Sequence, residues 1–134
     1  MSIAYWCVLI AAVMPVFLVG FAKRAGGGYN NSDPRNLDNL GSDRQRRAWA
    51  AHHNAFEAFP FFAVAVVVAT TQNAGGSLLN DLAMGWVLVR VLHAACYIGD
   101  RACLRSLAFI AGWLLTIGIF TLPVWLTSLP LSTV

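Results

Sequence analysis

One short segment of the chain places three polar side chains where they could share a face. His53, Asn54 and Glu57 are separated by one, three and four residues, and residues three or four apart are neighbours on a helix surface. An imidazole, an amide and a carboxylate at this spacing could hydrogen-bond a charged polar ligand. Pro60 follows about one turn later, where it removes a helical hydrogen bond and loosens the helix beside the carboxylate.

A second polar stripe lies on a later segment. Arg90, His93 and Tyr97 are spaced i, i+3 and i+7, which places them on one helical face. Arg105 and Ser106 then open the last apolar segment. Because polar and ionisable residues inside apolar segments are costly, these positions are the strongest functional candidates in the sequence.

Glu57 and Arg90 are predicted to lie at similar depth. Glu57 is about two turns from the start of its segment and Arg90 about two to three turns from the end of its own, at about 1.5 Å per residue. A lone charge there would cost several kcal/mol, and an opposite charge cancels much of that cost. We therefore expect the two residues to meet, within a chain or across a subunit boundary, beside a pocket open to the cytoplasm.

Each candidate also has a purely structural interpretation. Asn54 and His53 could hold helices together, and the expected ion pair could serve stability alone. Tyr97 could belong to the aromatic belt at the membrane interface, and Arg105 could only set the topology. Their joint placement at one depth favours a functional site.

The composition decides the environment of these side chains. Of the 134 residues, 58% are hydrophobic and 11% are charged, and the mean hydropathy is +0.64. A soluble domain carries roughly a quarter charged residues, so too little polar surface remains here to cover a water-soluble globule. We therefore exclude a cytosolic enzyme, a disordered tail and a nucleic-acid-binding module. One small integral membrane domain over residues 1–134 is predicted.

Four apolar segments are each close to the roughly 20 residues that cross a hydrocarbon core. Backbone groups in lipid must be paired internally, so these segments are helices, and short connections make neighbouring helices antiparallel. The predicted fold class is an all-α integral membrane protein, a four-transmembrane-helix, up-and-down antiparallel bundle. The predicted spans are residues 3–22, 49–71, 78–99 and 106–129, the last interrupted by Pro123, with a polar loop at 23–48.

The loop charges predict the orientation. The third loop carries Arg101, with Arg105 at its edge, while the second loop and both termini carry no basic residue. By the positive-inside rule the first and third loops face the cytoplasm and both termini face the opposite side. Six of the nine basic residues lie in the first loop: Lys23, Arg24, Arg35, Arg44, Arg46 and Arg47. Acidic residues are interleaved with these basic residues, so no nucleic-acid partner is expected.

The three cysteines indicate neither a disulfide framework nor a metal site. Cys7, Cys96 and Cys103 are an odd number without a CxxC spacing. Cys7 and Cys96 lie inside apolar segments, where a thiol behaves as a small apolar side chain. No metal is predicted.

Three motifs together resemble one family of membrane proteins. Residues 51–57 (AHHNAFE), with Pro60 after them, are similar to the second-helix pattern R-A-H-x-N-x-x-E of the MAPEG family, the membrane-associated proteins in eicosanoid and glutathione metabolism. The second polar stripe matches the family's third-helix pattern. Leu104-Arg105-Ser106 resembles the start of its fourth helix. The chain is identified as a bacterial-type member, and the resemblance covers all four apolar segments.

The resemblance implies a homotrimer in a bacterial inner membrane, with glutathione bound as co-substrate between neighbouring subunits near the cytoplasmic side. It implies a transferase or peroxidase in which Arg105, with Ser106 beside it, holds the glutathione thiol as a thiolate that attacks a hydrophobic electrophile. A thiol with a pKa of about 8.5 is mostly protonated at pH 7, and a nearby guanidinium favours its ionised form. The residues implied to bind the tripeptide are His53, Asn54, Glu57, Arg90, His93 and Tyr97.

Two departures from the family pattern keep other functions open. Ala50 and His53 stand where glutathione-using members carry arginines. One alternative is therefore a non-catalytic subunit of the same fold, or a lipid-binding protein, alone or in a larger membrane complex. Another is a b-type haem held by His52 or His53 with His93, since bundles bind haem through histidines on facing helices. That alternative leaves the arginine and tyrosine stripe unexplained. The expected small partners are membrane lipids or hydrophobic small molecules.

Overall fold

A computed structural model describes residues 1–26, 30–34, 36, 38 and 40–128 of the chain. Within these residues the chain forms four helices and no strand, and each helix is long and apolar enough to cross a membrane. Arg35 of the first loop and the predicted end of the last span at Leu129 lie outside the described residues. The helices are α1 (Ile3–Arg24), α2 (Asp43–Thr71), α3 (Ser77–Ile98) and α4 (Ala102–Ser128).

The start of α2 differs from the predicted span. The apolar run begins near Trp49, but the helix begins at Asp43 because Ser42 and Gln45 form a capping box. The Ser42 hydroxyl accepts from the Gln45 N–H at 3.2 Å, and the Gln45 side-chain oxygen accepts from the Ser42 N–H at 3.2 Å. Hydropathy locates the hydrocarbon-crossing part of a helix, whereas the cap sets where the helix begins.

Gln45 also joins the start of α2 to the end of α1. Its amide nitrogen donates to the Gly26 carbonyl at 3.1 Å, and the side chain is fully buried. A Cβ on Gly26 would lie 2.5 Å from the Gln45 side-chain oxygen. A side chain at position 26 would therefore force the hydrogen-bonded Gln45 amide to move.

Three prolines lie within the described helices rather than at their ends. Pro15, Pro60 and Pro123 all lie inside helices, and the predicted interruption at Pro123 is wrong. α4 also begins at Ala102, so Arg105 lies one turn inside it rather than at its start. In lipid, unwinding a segment exposes several unpaired backbone groups, whereas a proline removes only one helical hydrogen bond.

Contacts at the two ends of the bundle confirm the up-and-down order. Arg47 donates to the Ile98 carbonyl at 3.2 Å and contacts Asp100 at 3.7 Å, so the first and third loops lie at one end. At the opposite end, the Ala4 N–H donates to the Asn80 side-chain oxygen at 3.0 Å, which joins the beginnings of α1 and α3. We refer to these as the first-loop end and the second-loop end.

Small residues let the helices pack closely. Ala4, Cys7 and Ala11 are buried on α1, and alanines dominate the buried positions of α2. Small side chains at helix contacts are the usual means of close packing in membranes. Cys7 and Cys96 are free and buried, as predicted for apolar thiols. α1 packs mainly on α2 and α4 mainly on α3, with α2 contacting α3 between them.

Candidate functional site

The centre of the site is a contact between α2 and α3. One guanidinium nitrogen of Arg90 donates to the Asn54 side-chain oxygen at 2.7 Å and to the Asn54 backbone carbonyl at 3.0 Å. Arg90 is only 3% exposed, whereas Asn54 is partly exposed. Since its oxygen is already bonded, Asn54 offers its amide N–H groups to any ligand. Arg90 lies behind Asn54 and positions it.

The predicted meeting of Glu57 with Arg90 is not found within one chain. Neither salt bridge among the described residues includes Glu57. Its side chain is exposed, and it lines a small groove with Asn54. Asn54 and Glu57 are three residues apart on the same face, and the register of α2 brings the amide rather than the carboxylate to Arg90. Glu57 is therefore left open to a ligand or to a neighbouring subunit.

The layer beneath Arg90 is aromatic. The Trp86 ring stacks on Phe62 with centroids 3.9 Å apart, and the Arg90 guanidinium carbon lies 5.8 Å from the Trp86 ring centroid. Trp86 donates from its indole nitrogen to the Thr116 hydroxyl at 2.9 Å. This contact joins α3 to α4. The Nε atom of Arg90 is buried without a hydrogen-bond partner.

The main groove of the site lies between α2, α3 and α4. Its volume is about 300 Å³, and Phe109 and Ile110 supply its apolar wall. The Arg105 guanidinium lies over the Tyr97 ring, 4.6 Å from its centroid, which is a favourable cation–π arrangement. The structure brings five predicted site residues to this groove: Asn54, His93, Tyr97, Arg105 and Ser106.

The polar lining of this groove suits an anion. Arg105 carries a fixed positive charge, and Asn54, Tyr97 and Ser106 can each donate a hydrogen bond. The described residues that line the groove include no carboxylate. Buried His93 packs against Tyr97, with ring centroids 5.6 Å apart, and closes the inner side. The groove can thus hold a negatively charged group next to Arg105.

An apolar track continues from the polar groove along α2 and α4. The polar groove shares Asn54 and Phe109 with the small groove that contains Glu57. That small groove shares Phe61 and Trp113 with an apolar groove of about 430 Å³. The centroids of the Phe61 and Trp113 rings lie 5.0 Å apart, where the small groove meets the apolar groove. These aromatic residues were not predicted as part of the site.

A signal for part of this track was present in the sequence. Phe109 and Trp113 follow Arg105 at intervals of four, which places all three on one face of α4. Their hydrophobicity made them indistinguishable from the lipid-facing residues of the same segment. The i+4 spacing from a charged residue is therefore the feature that would have identified them.

Two histidines lie outside the groove of one chain. His53 is exposed and packs against Trp49, with ring centroids 5.4 Å apart. His52 lies 2.8 Å from the Pro15 carbonyl through Nδ1, a contact that joins α2 to α1. In the part of the chain that the structure describes, no group of three His, Cys, Asp or Glu residues could hold a metal ion.

Comparison with known proteins gives one result. The sequence model of the MAPEG family matches residues 3–125. No curated protein and no solved structure matches the chain. The matched range reaches into all four helices and includes every residue of the polar groove and of the apolar track.

Proposed function

The chain belongs to the MAPEG family, and from this premise we propose that it is a glutathione-dependent transferase or peroxidase acting on hydrophobic electrophiles. The observation that carries the proposal is the shared groove of Arg105, Tyr97, His93, Ser106 and Asn54. It combines a cation, several hydrogen-bond donors and an apolar exit along α2 and α4. That combination suits a polar thiol on one side and a lipid-soluble partner on the other.

Glutathione has the charges that this site would complement. Its two carboxylates are suited to the donor-rich groove, since charge-assisted hydrogen bonds to carboxylates are the strong ones. Its ammonium group is suited to Glu57, which lies exposed beside Asn54. In this proposal Arg90 acts by holding the Asn54 amide toward the tripeptide.

Arg105 is proposed to hold the thiolate, with Ser106 as an adjacent hydrogen-bond donor. An adjacent positive charge stabilises the ionised form of a thiol, which is the nucleophile. In the transferase reaction the sulfur–carbon bond forms, the bond to the leaving group breaks, and the leaving group departs with the electron pair. In a peroxidase reaction two glutathione molecules give two electrons and two protons to a hydroperoxide, which becomes an alcohol and water, and the two glutathione sulfurs form a disulfide.

The apolar track is proposed to hold the electrophile. Phe61, Trp113 and Phe120 line a volume of about 430 Å³ with almost no polar surface. A lipid or another hydrophobic small molecule could enter there from the bilayer, with its reactive carbon or oxygen toward Arg105. We propose no single electrophile, because an apolar groove discriminates weakly between hydrocarbon chains.

We further propose a homotrimer in a bacterial inner membrane. Exposed Glu57 and His53 at membrane depth support it, because a polar side chain facing lipid is costly and a neighbouring subunit would relieve that cost. The basic first-loop end is proposed to be cytoplasmic, and both termini to lie on the opposite side. Glutathione would then enter from the cytoplasm.

The direct test is a thiolate difference spectrum of the detergent-purified protein titrated with glutathione. We expect a saturable rise in ultraviolet thiolate absorbance at pH 7, where a free thiol is only a few per cent ionised. Arg105→Ala is expected to abolish the rise. Arg101→Ala removes the same charge from the exposed third loop and is expected to leave it unchanged.

A second candidate is a non-catalytic MAPEG-fold subunit or lipid-binding protein, alone or in a larger membrane complex. Ala50 and His53 favour it, because two family arginines are missing there. A flat trace at millimolar glutathione in a protein with intact helical circular dichroism would support this candidate and contradict the transferase. A haem Soret band would support the histidine-ligated alternative, and a colourless preparation would exclude it.

A further inference from the structure

A second large groove lies away from the polar site, between α1 and α3. Its volume is about 600 Å³ and its lining is almost wholly apolar. On α3 it is formed by Val91, Ala95 and Ile98, whereas Arg90, His93 and Tyr97 lie on another face of that helix. No lining residue is shared between this groove, which we call the α1–α3 groove, and the polar groove.

The α1–α3 groove has the shape needed by a hydrocarbon chain. Ala94 and Ala95 form a shallow floor on α3, and the larger side chains of α1 form the opposite wall. Phe17 stands at its first-loop side and is 74% exposed. On α1 the lining extends from Leu9 to Leu18, about 13 Å at 1.5 Å per residue. Such a groove accommodates part of one acyl chain lying parallel to the helices.

A basic residue, Arg24, lies at the first-loop end of this groove. Arg24 follows Phe17 by seven residues, so it lies on the same face of α1 about two turns further on. One of its terminal nitrogens would lie 4.0 Å from a Cβ on Gly20, so the side chain folds back along the helix toward the groove. Within the described residues, neither salt bridge includes Arg24.

We propose that the α1–α3 groove binds an anionic phospholipid, with one acyl chain along Val13, Phe17 and Ala95 and the headgroup phosphate on Arg24. The apolar lining selects hydrocarbon, and the guanidinium of Arg24, which is in neither salt bridge of the described residues, selects negative charge at the headgroup level. Arg46 and Arg47 differ in this respect, because they already contact Asp43 and Asp100, and Arg44 lies over the Phe21 ring. The site is independent of glutathione, so it stands or fails separately from the transferase proposal.

The test is native mass spectrometry of the detergent-purified protein titrated with phosphatidylglycerol or with phosphatidylcholine of the same chain length. We expect the anionic lipid to bind about fivefold more tightly, as one basic residue near a headgroup provides. Arg24→Gln is expected to bring the two affinities together. Arg46→Gln removes a charge at the same end, away from the groove, and is expected to leave the preference intact.

A second variant tests the acyl chain. Ala95→Phe fills the groove from an exposed position and is expected to weaken both lipids, whereas Val67→Phe on the exposed face of α2 is not. Equal binding of the two lipids by the wild type would overturn the proposal, as would equal effects of the two arginine variants. Unchanged lipid binding in Ala95→Phe with an altered oligomeric state would assign the groove to a second copy of the chain instead.

Discussion

A single guanidinium nitrogen of Arg90 is hydrogen-bonded to both oxygens of Asn54, at 2.7 Å to the side chain and 3.0 Å to the backbone. The contact crosses from α3 to α2 and occupies the acceptor side of the amide. Because Arg90 is buried and Asn54 lines the polar groove, the charge acts on the groove through the amide. Asn54 is therefore the point at which folding and ligand binding can be separated experimentally.

Two substitutions at position 54 are expected to separate the effect on stability from the effect on glutathione binding. Asn54→Ala removes the side-chain acceptor and should lower the free energy of unfolding by about 1.5–3 kcal/mol, because a buried charge loses a partner. Asn54→Asp keeps an acceptor for Arg90 and should therefore preserve thermal stability. It should weaken glutathione binding, because the amide donor is replaced by a carboxylate, a second negative charge beside Glu57. Thermal unfolding in detergent and the thiolate titration measure the two effects. Equal losses of stability would contradict the role given to this contact.

The stacking of Arg105 on Tyr97 gives a second prediction. The ring lies 4.6 Å from the guanidinium carbon and holds the cation over the groove. Tyr97→Leu should weaken glutathione-thiolate formation about two- to fivefold, the contribution of a partly exposed cation–π contact. Tyr97→Phe keeps the ring and should therefore retain thiolate formation.

The thiolate titration of the two Tyr97 variants distinguishes ring from hydroxyl. A loss in Tyr97→Phe equal to that in Tyr97→Leu would show that the phenolic O–H, not the ring, is the functional group. Tyr5→Phe is a matched control, because Tyr5 lies on α1 near the second-loop end and lines none of the grooves of the site. It should leave the titration unchanged.

The helices and most of the groove residues could be predicted from the sequence, but the axial register between helices could not. The hydropathy pattern and the i, i+3, i+7 spacings place Asn54, His93 and Tyr97 together with Arg105, as the structure does. Opposite charge favoured Glu57 as the partner of Arg90, yet Asn54 shares its face and makes the contact. Spacing along one helix defines a face, whereas the axial shift between two helices is set by packing.

Two further contacts could not be predicted from composition or charge pattern. Arg47 was interpreted only as part of the positive-inside pattern, but it also bonds the Ile98 carbonyl at the end of α3. Trp86 is one of many apolar residues in its segment, and only the structure shows its bond to Thr116. Composition and charge patterns report the environment of a residue, and they do not report its partner.

The close approach of Gly26 to Gln45 predicts a stability defect far from the site. A Cβ at position 26 would displace the Gln45 amide, which is fully buried and holds both the capping box and the Gly26 carbonyl. Gly26→Ala should therefore cost about 1–3 kcal/mol, the range for losing a cap or leaving a buried polar group unpaired. Gly75→Ala adds its Cβ where no atom lies within 4 Å, and should change stability by less than about 0.5 kcal/mol. Thermal unfolding of the pair in one detergent measures the difference, and equal melting temperatures would argue against the close approach.

The exposed carboxylate of Glu57 gives a prediction about charge recognition. If Glu57 contacts the ammonium group of glutathione, Glu57→Gln should weaken glutathione binding about tenfold or more, the value of a hydrogen bond between charged groups. A glutathione analogue without the α-amino group should bind the wild type and Glu57→Gln equally. Asp81→Asn neutralises an exposed acid near the second-loop end of α3 and should affect neither ligand. Isothermal titration of both ligands into the three proteins measures these affinities. An equal loss of affinity for the two ligands in Glu57→Gln would show that the carboxylate acts on the fold or on a neighbouring subunit, and not on the ammonium group.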